Sequence, residues 1–104
     1  MQIKTSEKLQ ATNGETLGAK VGMLAAETNV PISIVAGIMQ VSIVTVYRWY
    51  KGESTPNTKP AVKRLRRLEW SLTQALSQGI LPMEGKFNPD VILPLWKQSK
   101  EQVK

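Results

Sequence analysis

The side chains best suited to chemistry in this sequence are cations, and they are concentrated in one segment. The chain of 104 residues carries a net charge of +6, and the whole surplus lies between residues 47 and 67. Seven basic residues there face one acidic residue, whereas the segments on either side each sum to zero. The seven are Arg48, Lys51, Lys59, Lys63, Arg64, Arg66 and Arg67. Such a cluster attracts phosphate groups, although a basic run also occurs as the solvated face of an ordinary helix.

Four residues in the middle of the chain have side chains suited to the edges of DNA bases. Arg48 can form a fork onto O6 and N7 of guanine, the commonest specific contact in the major groove. Ile43 and Val44 are apolar where base-reading residues are commonly polar, so they suit either thymine methyl groups or a protein surface. Tyr47 can reach a base or, like Lys51, a phosphate. The predicted base contacts are Ile43, Val44, Tyr47 and Arg48.

Hydroxyl, amide and cationic groups near these residues can position a nucleic-acid backbone without reading its sequence. Ser33 stands at a predicted helix start, where free backbone N–H groups favour an anion, but it suits a simple cap equally well. The polar loop 53–60, ESTPNTKP, offers further donors. The predicted phosphate contacts are Ser33, Ser42, Lys51, Ser54, Thr55, Asn57, Lys59, Lys63, Arg64 and Arg67.

Two short helices must present these side chains, and the apolar spacing between residues 32 and 56 predicts both. Apolar residues recur at helical intervals on each side of a break near Gln40. Ser42 suits the N-cap of the second helix, Gly52 suits the left-handed position that ends it, and Pro56 prevents continuation. Two helices of about eight residues joined by a short turn form a helix-turn-helix. An ordinary helical hairpin with the same pattern is the alternative.

This stretch resembles the helix-turn-helix of the Cro/phage-repressor family, also called Xre-type. The matching residues occupy the helix crossing, two core positions and an R-W-x-x-G-x-x-x-P ending; they are Ala36, Val41, Val46, Arg48, Trp49, Gly52 and Pro56. Gln40 departs from the family's turn glycine, which implies a non-glycine residue at positive φ with a modest energetic cost. The resemblance implies a regulator that binds double-stranded DNA as a homodimer on palindromic sites.

The whole sequence predicts an all-α fold, a compact bundle of four to five helices that includes the helix-turn-helix. Residues 1–13 are polar and predict a flexible N-terminal arm. We expect residues 14–79 to form the DNA-binding domain. Residues 80–104 then form a linker and a short C-terminal helical extension.

The segments that flank the helix-turn-helix predict further helices. Asn13 or Thr16 suits the cap of the first helix, on which Gly18 and Gly22 permit the close approach of a neighbouring helix. A long helix that ends near Gln78 follows the polar loop and turns one apolar stripe toward the core. That stripe consists of Val62, Leu65, Leu68, Leu72 and Leu76.

Two features toward the C-terminus require cover from another part of the protein. Trp70 lies opposite the apolar stripe of the long helix, so either the C-terminal segment or a partner subunit should cover it. Asn88-Pro89-Asp90 predicts a helix start, and Pro94 forces a kink or a restart in the apolar segment that follows. That segment must pack on its own domain or on a second subunit, and its own domain is favoured.

The composition excludes several kinds of chemistry. The sequence contains no cysteine and no histidine, which excludes disulfides, Cys/His metal sites and the usual nucleophile–base pairs. We therefore expect no catalytic residues, no metal and no cofactor, and we do not expect an enzyme. No apolar run reaches about 20 residues and residues 1–10 lack a signal-peptide core, so a cytoplasmic location in a bacterial cell is expected, without a membrane partner.

Two functions remain open. The leading prediction is sequence-specific binding of double-stranded DNA, as by a small phage or bacterial repressor, with the helix at about 42–51 in the major groove. The alternative is a phage-encoded helix-turn-helix that binds a protein, such as a packaging subunit or an inhibitor of a host protein. The apolar pair Ile43 and Val44 and the apolar C-terminal element are the features that favour this alternative.

Overall fold

The computed structural model describes residues 16–103. In it the protein folds into five α-helices, which are joined by turns and one longer linker. They are α1 Leu17–Thr28, α2 Ile32–Met39, α3 Ile43–Lys51, α4 Lys59–Ser77 and α5 Leu93–Gln102. A 3-10 turn, Pro89–Val91, precedes α5. Helices make up 69% of the described residues and no strand occurs among them, which confirms the all-α prediction. The arm predicted for residues 1–13 lies outside the described residues.

Side-chain caps determine where α1, α3 and α4 begin. The hydroxyl oxygens of Thr16, Ser42 and Thr58 accept hydrogen bonds from backbone N–H groups three residues later, at 3.1, 3.1 and 3.3 Å. Each bond satisfies one of the N–H groups that a helix start leaves free, so the caps predicted at Thr16 and Ser42 are confirmed. α2 begins differently, because Pro31 precedes it and no side chain caps it.

α2 and α3 form a helix-turn-helix. The bend between them is 105°, within the range typical of this motif. Gln40 ends α2 with a φ of 61°, so the positive φ expected there is confirmed. The Val41 N–H donates to the Ala36 carbonyl oxygen at 3.1 Å and closes the turn. No single helix in the described part is long and apolar enough to cross a membrane, and only this bent pair approaches the required length and composition.

Two glycines allow α1 to lie very close to α3. A Cβ added at Gly18 would come within 2.6 Å of the Trp49 carbonyl oxygen, and one added at Gly22 within 2.8 Å of the Tyr50 ring. Real Cβ atoms essentially never approach other heavy atoms so closely, so a larger residue at either position would push the helices apart. The close approach predicted from these two glycines is confirmed.

The buried stripe of α4 is centred differently from the prediction. The three central leucines of the predicted stripe are fully buried, whereas Val62 and Leu76 at its ends are only half-buried. Ser71 and Ala75 are buried as well, although the stripe did not include them. Ser71 tolerates burial because its hydroxyl donates to the Arg67 carbonyl oxygen at 2.8 Å, which leaves no unpaired polar group.

The C-terminal segment packs on α4 of the same chain, as favoured from the sequence. Ile92 and Leu95 are buried in the common core. The Asn88 side chain caps the 3-10 turn by accepting from the Asp90 N–H at 3.0 Å. α5 then restarts with Pro94 in its first turn, where a proline interrupts no helical hydrogen bond. The restart expected at Pro94 is therefore confirmed.

Trp70 is half-buried and packs against the edge of the core. It borders a surface depression together with Gln102 and Val103, which lie at the end of α5. The C-terminal segment therefore lies beside this ring, which is one of the two alternatives predicted for its cover.

We expect Gly18→Ala to lower the free energy of unfolding by about 1–3 kcal/mol, the usual cost of forcing an extra atom into a packed core. The neighbour that it meets is the Trp49 backbone, which cannot move without α3. Gly37→Ala is the matched control, because Gly37 lies in α2 with open space around it and alanine there should stabilise the protein by about 0.5–1 kcal/mol. Urea denaturation measures both variants. Equal stabilisation by the two would show that α1 and α3 do not need this close contact.

Candidate nucleic-acid interface

α3 lies half in the core and half in solvent. On its inner side Val46 and Trp49 expose only 0% and 5% of their surfaces. On the opposite side Ile43, Val44 and Tyr47 are 49%, 61% and 56% exposed. We call the exposed side the outer face of α3; it consists of Ile43, Val44, Tyr47, Arg48 and Lys51. This face is apolar at the start of the helix and basic at its end.

Lys51 is held beside Tyr47 at the end of the outer face. Its ammonium nitrogen lies 5.1 Å from the centre of the Tyr47 ring and 3.0 Å from a carboxylate oxygen of Glu53. The hydrogen bond from Lys51 to Glu53, followed by the charge of Glu53, raises the pKa of Lys51, so this residue stays cationic. The pair is open to solvent, and exposed ion pairs contribute little to stability. A phosphate group can therefore replace Glu53 as the partner of Lys51.

Tyr50 belongs to the packing between α1 and α3 and not to the outer face. Its ring lies against Gly22, and its hydroxyl oxygen is buried without a hydrogen-bond partner among the described residues. Burial raises the pKa of Tyr50 to about 12, so the phenol remains neutral at any ordinary pH. Tyr50 thus holds α3 in position and offers no group to a ligand.

Two of the three serines predicted to contact phosphate occupy helix starts, in different ways. Ser42 Oγ accepts from the Thr45 N–H at 3.1 Å and lies 3.0 Å from the Thr45 hydroxyl, so it is already engaged by α3. Ser33 lies exposed in the first turn of α2, after Pro31, and caps no helix. Of the two roles open to Ser33, the cap is therefore excluded, and its hydroxyl is accessible to a ligand.

The loop between α3 and α4 lies directly beside α3. Thr45 of α3 and residues 54–58 of the loop border one surface depression. Thr58 is engaged in capping α4, but its neighbours keep their side chains in solvent. The exposed residues of this edge that were predicted to contact phosphate are Ser54, Thr55, Asn57, Lys59 and Lys63.

Arg64 connects α4 to the turn of the helix-turn-helix. Its Nη1 lies 3.5 Å from the Met39 carbonyl oxygen and 3.5 Å from Gln40 Oε1. Both distances are at the outer limit of hydrogen bonding, so these contacts hold the side chain only weakly. The guanidinium group is therefore positioned near the turn but can still bind an anion.

Arg67 has a role that the sequence did not indicate. Its Nε donates to Ser99 Oγ at 2.8 Å and its Nη2 donates to the Trp96 carbonyl oxygen at 3.0 Å. The guanidinium carbon also lies 4.0 Å from the centre of the Trp96 ring, a cation–π contact. Burial, and secondarily the charge of Arg64, lowers the pKa of Arg67. The structure thus assigns Arg67 to holding α5 on α4. The phosphate contact predicted for it stays a prediction, because Arg67 also lines a surface depression.

Two further cations lie near this surface and were not among the predicted contacts. Arg66 borders a depression with Lys59 and Lys63. It follows Lys59 by seven residues and Lys63 by three, so helical spacing could have predicted that the three lie on one side of α4. Lys100 borders a second depression together with Lys63. No pattern in the sequence indicates this position for Lys100, because it depends on how α5 docks.

Comparison of the chain with protein-family models, with curated proteins and with solved structures found no match. Among residues 16–103, no group of three or more His, Cys, Asp or Glu side chains is arranged to hold a metal ion. The site is defined by its own geometry, an exposed apolar and basic helix face flanked by accessible cations and hydroxyl groups.

We expect Arg67→Lys to lower the free energy of unfolding by about 1–2 kcal/mol, because an ammonium group cannot make both hydrogen bonds and the ring contact together. Arg66→Lys is the control: it makes the same change at the neighbouring exposed position and should have an effect within about 0.5 kcal/mol. Hydrogen exchange of the α5 amides should accelerate only in Arg67→Lys. Equal stability of the two variants would show that Arg67 does not hold α5.

Proposed function

We propose that this protein is a sequence-specific regulator that binds double-stranded DNA, similar to small phage or bacterial repressors of the Cro type. The observation that carries the proposal is the outer face of α3, which is exposed while the opposite side of the same helix is anchored in the core. An α-helix fits the major groove of DNA, where each base pair presents a distinct pattern of groups. The accessible cations beside this helix suit the phosphates on either side of that groove.

Direct readout belongs to the outer face of α3. Arg48 presents a fork of N–H donors that matches O6 and N7 of guanine. Ile43 and Val44 lie at the start of the helix, the end that contacts bases in a helix-turn-helix, and they pack against thymine methyl groups. Tyr47 lies between these two kinds of contact and reaches either a base or a phosphate.

Contacts to the DNA backbone supply most of the affinity. We assign them to Lys51, Lys59, Lys63 and Arg64, with Ser33 and the exposed loop residues as neutral donors. Each phosphate that a cation neutralises releases counterions, so the logarithm of the binding constant falls by about 0.9 per contact for each tenfold rise in salt. Binding should therefore weaken steeply as salt is added.

Binding to duplex DNA favours a dimer of this protein over a monomer. A helix of nine residues reaches only a few base pairs, whereas a two-fold dimer places two such helices about 34 Å apart, one helical turn of DNA. We propose a homodimer on a palindromic site. Selection of binding sites from a random duplex pool would identify the site, and its palindromy would report the symmetry.

One observation favours a second function, in which the helix-turn-helix binds a protein. Ile43 and Val44 form an apolar tip that is 49% and 61% exposed, and such a tip also suits a protein surface. This protein would then be a phage-encoded packaging subunit or an inhibitor of a host protein. Titration of a random duplex at low salt separates the two functions. Salt-sensitive binding supports the DNA regulator, and absence of binding at low salt overturns it.

Arg48→Ala should reduce the preference for one guanine by about 1–3 kcal/mol of binding free energy, because the paired hydrogen bonds are lost. Lys63→Ala is the control, since loss of a phosphate contact should weaken selected and scrambled duplexes equally. Fluorescence anisotropy with both duplexes measures the two effects. If Arg48→Ala keeps the wild-type ratio of the two affinities, Arg48 does not read a base.

Replacement of single thymines in the selected site by deoxyuridine should weaken binding by roughly 0.8 kcal/mol at each methyl group that Ile43 or Val44 covers. Uracil keeps the base pairing and lacks only the methyl group, so the comparison isolates the apolar contact. The double variant Ile43→Ala, Val44→Ala should lose this sensitivity while it still binds the duplex. If the wild-type protein binds every deoxyuridine-substituted duplex as tightly as the unmodified site, this pair does not read thymine.

A further inference from the structure

Four cations surround one depression on the surface between α4 and α5. The residues that line it are Pro60, Lys63, Arg64, Arg67 and Lys100. Three of the cations lie within five residues of α4, whereas Lys100 comes from the last turns of α5. No carboxylate belongs to the described lining of this depression, so every charged group in that lining is positive and attracts anions.

The packing of α5 holds this arrangement in place. Arg67 donates to Ser99 Oγ at 2.8 Å, and Ser99 is the buried residue immediately before Lys100. The end of α5 is thus fixed on α4 through the neighbour of Lys100. On the other side of the depression, Arg64 lies within 3.5 Å of the Met39 carbonyl oxygen, next to the turn of the helix-turn-helix.

Like charges so close together repel one another unless an anion lies between them. The charge of Arg64 acts on Arg67 strongly enough to contribute, after burial, to its lowered pKa. An anion with several charged oxygens would replace this repulsion by attraction. Phosphate suits such a site because the Arg64 guanidinium group can bind its oxygens through paired, charge-assisted hydrogen bonds. Arg67, whose Nε and Nη2 are engaged by α5, adds its positive charge beside them.

The depression also continues into the rest of the basic surface. Lys63 lines a second depression together with Asn57, Lys59 and Arg66, so the two depressions meet at Lys63 and their cations form a band along the first half of α4. This band begins at the loop that follows α3 and ends at Lys100. Cations spread over two adjoining depressions favour an extended chain of phosphates over an isolated anion.

We infer that the depression between α4 and α5 binds a phosphate group, and that Lys100 extends the DNA-backbone contacts from α4 onto α5. The preferred ligand, a phosphodiester of the duplex, rests on the proposed function. A free phosphorylated molecule has the same chemistry, and the experiment has one arm for each source.

The first arm compares Lys100→Gln with Lys97→Gln, which makes the same charge change on the exposed surface of the same helix but outside the depression. Binding of each variant to a random-sequence duplex is measured over a range of salt concentrations. Lys100→Gln should bind about five- to tenfold more weakly near about 0.1 M salt and should reduce the salt slope by about 0.9, the value for one phosphate. Lys97→Gln should keep the wild-type slope.

The second arm titrates inorganic phosphate into the wild-type protein and into both variants at constant ionic strength, and follows the backbone amide signals of residues 63–67 and 99–101 by NMR. Saturable shifts that disappear in Lys100→Gln would support the site with a free phosphate as ligand. If these shifts occur in a protein that binds no duplex, the proposed function fails and the phosphate site stands. If Lys100→Gln behaves like Lys97→Gln in both arms, the inference is overturned, although duplex binding by the wild type would leave the proposed function intact.

Discussion

The close packing of α1 behind α3 is the contact on which the interface depends. A helix of nine residues is not stable alone, so α3 keeps its shape because one side is buried. Val46 and Trp49 form that side, and Gly18 lets α1 approach until it touches the Trp49 backbone itself. Because the inner side carries the stabilising contacts, the outer face needs no partner within the protein and is available to a ligand.

α4 combines two tasks on different sides of one helix. Its leucines fill the core, while its first turns carry cations toward the loop that follows α3. Arg67 shows that a cation of this segment can be engaged by the fold itself, although it also lines the depression beside Lys100. Its planar group meets a hydroxyl, a carbonyl oxygen and an indole ring at once, and this combination fixes α5. A count of basic residues therefore overstates the number of N–H donors that are free to bind an anion.

Folding also brings together charged residues that lie far apart in the sequence. The C-terminal region has no net charge in the sequence, yet Lys100 joins the cations of α4 across the α4–α5 contact. Glu53 has the opposite effect, because its carboxylate pairs with Lys51 at the edge of the outer face. The two basic depressions that result meet at Lys63, so the cations extend from the loop to α5 in an arrangement that differs from the basic segment of the sequence.

The sequence by itself determined the local features. The caps at Thr16 and Ser42 follow from interactions within about four residues, which spacing and residue type reveal. The positive φ of Gln40 is equally local, but it was implied by the resemblance to the repressor family, whose turn has a glycine there. Only the tertiary structure decided the role of Arg67 and the position of Lys100. Arg67 meets a residue 32 positions away, and the choice of such a partner depends on how two helices dock, which no short pattern in the chain records.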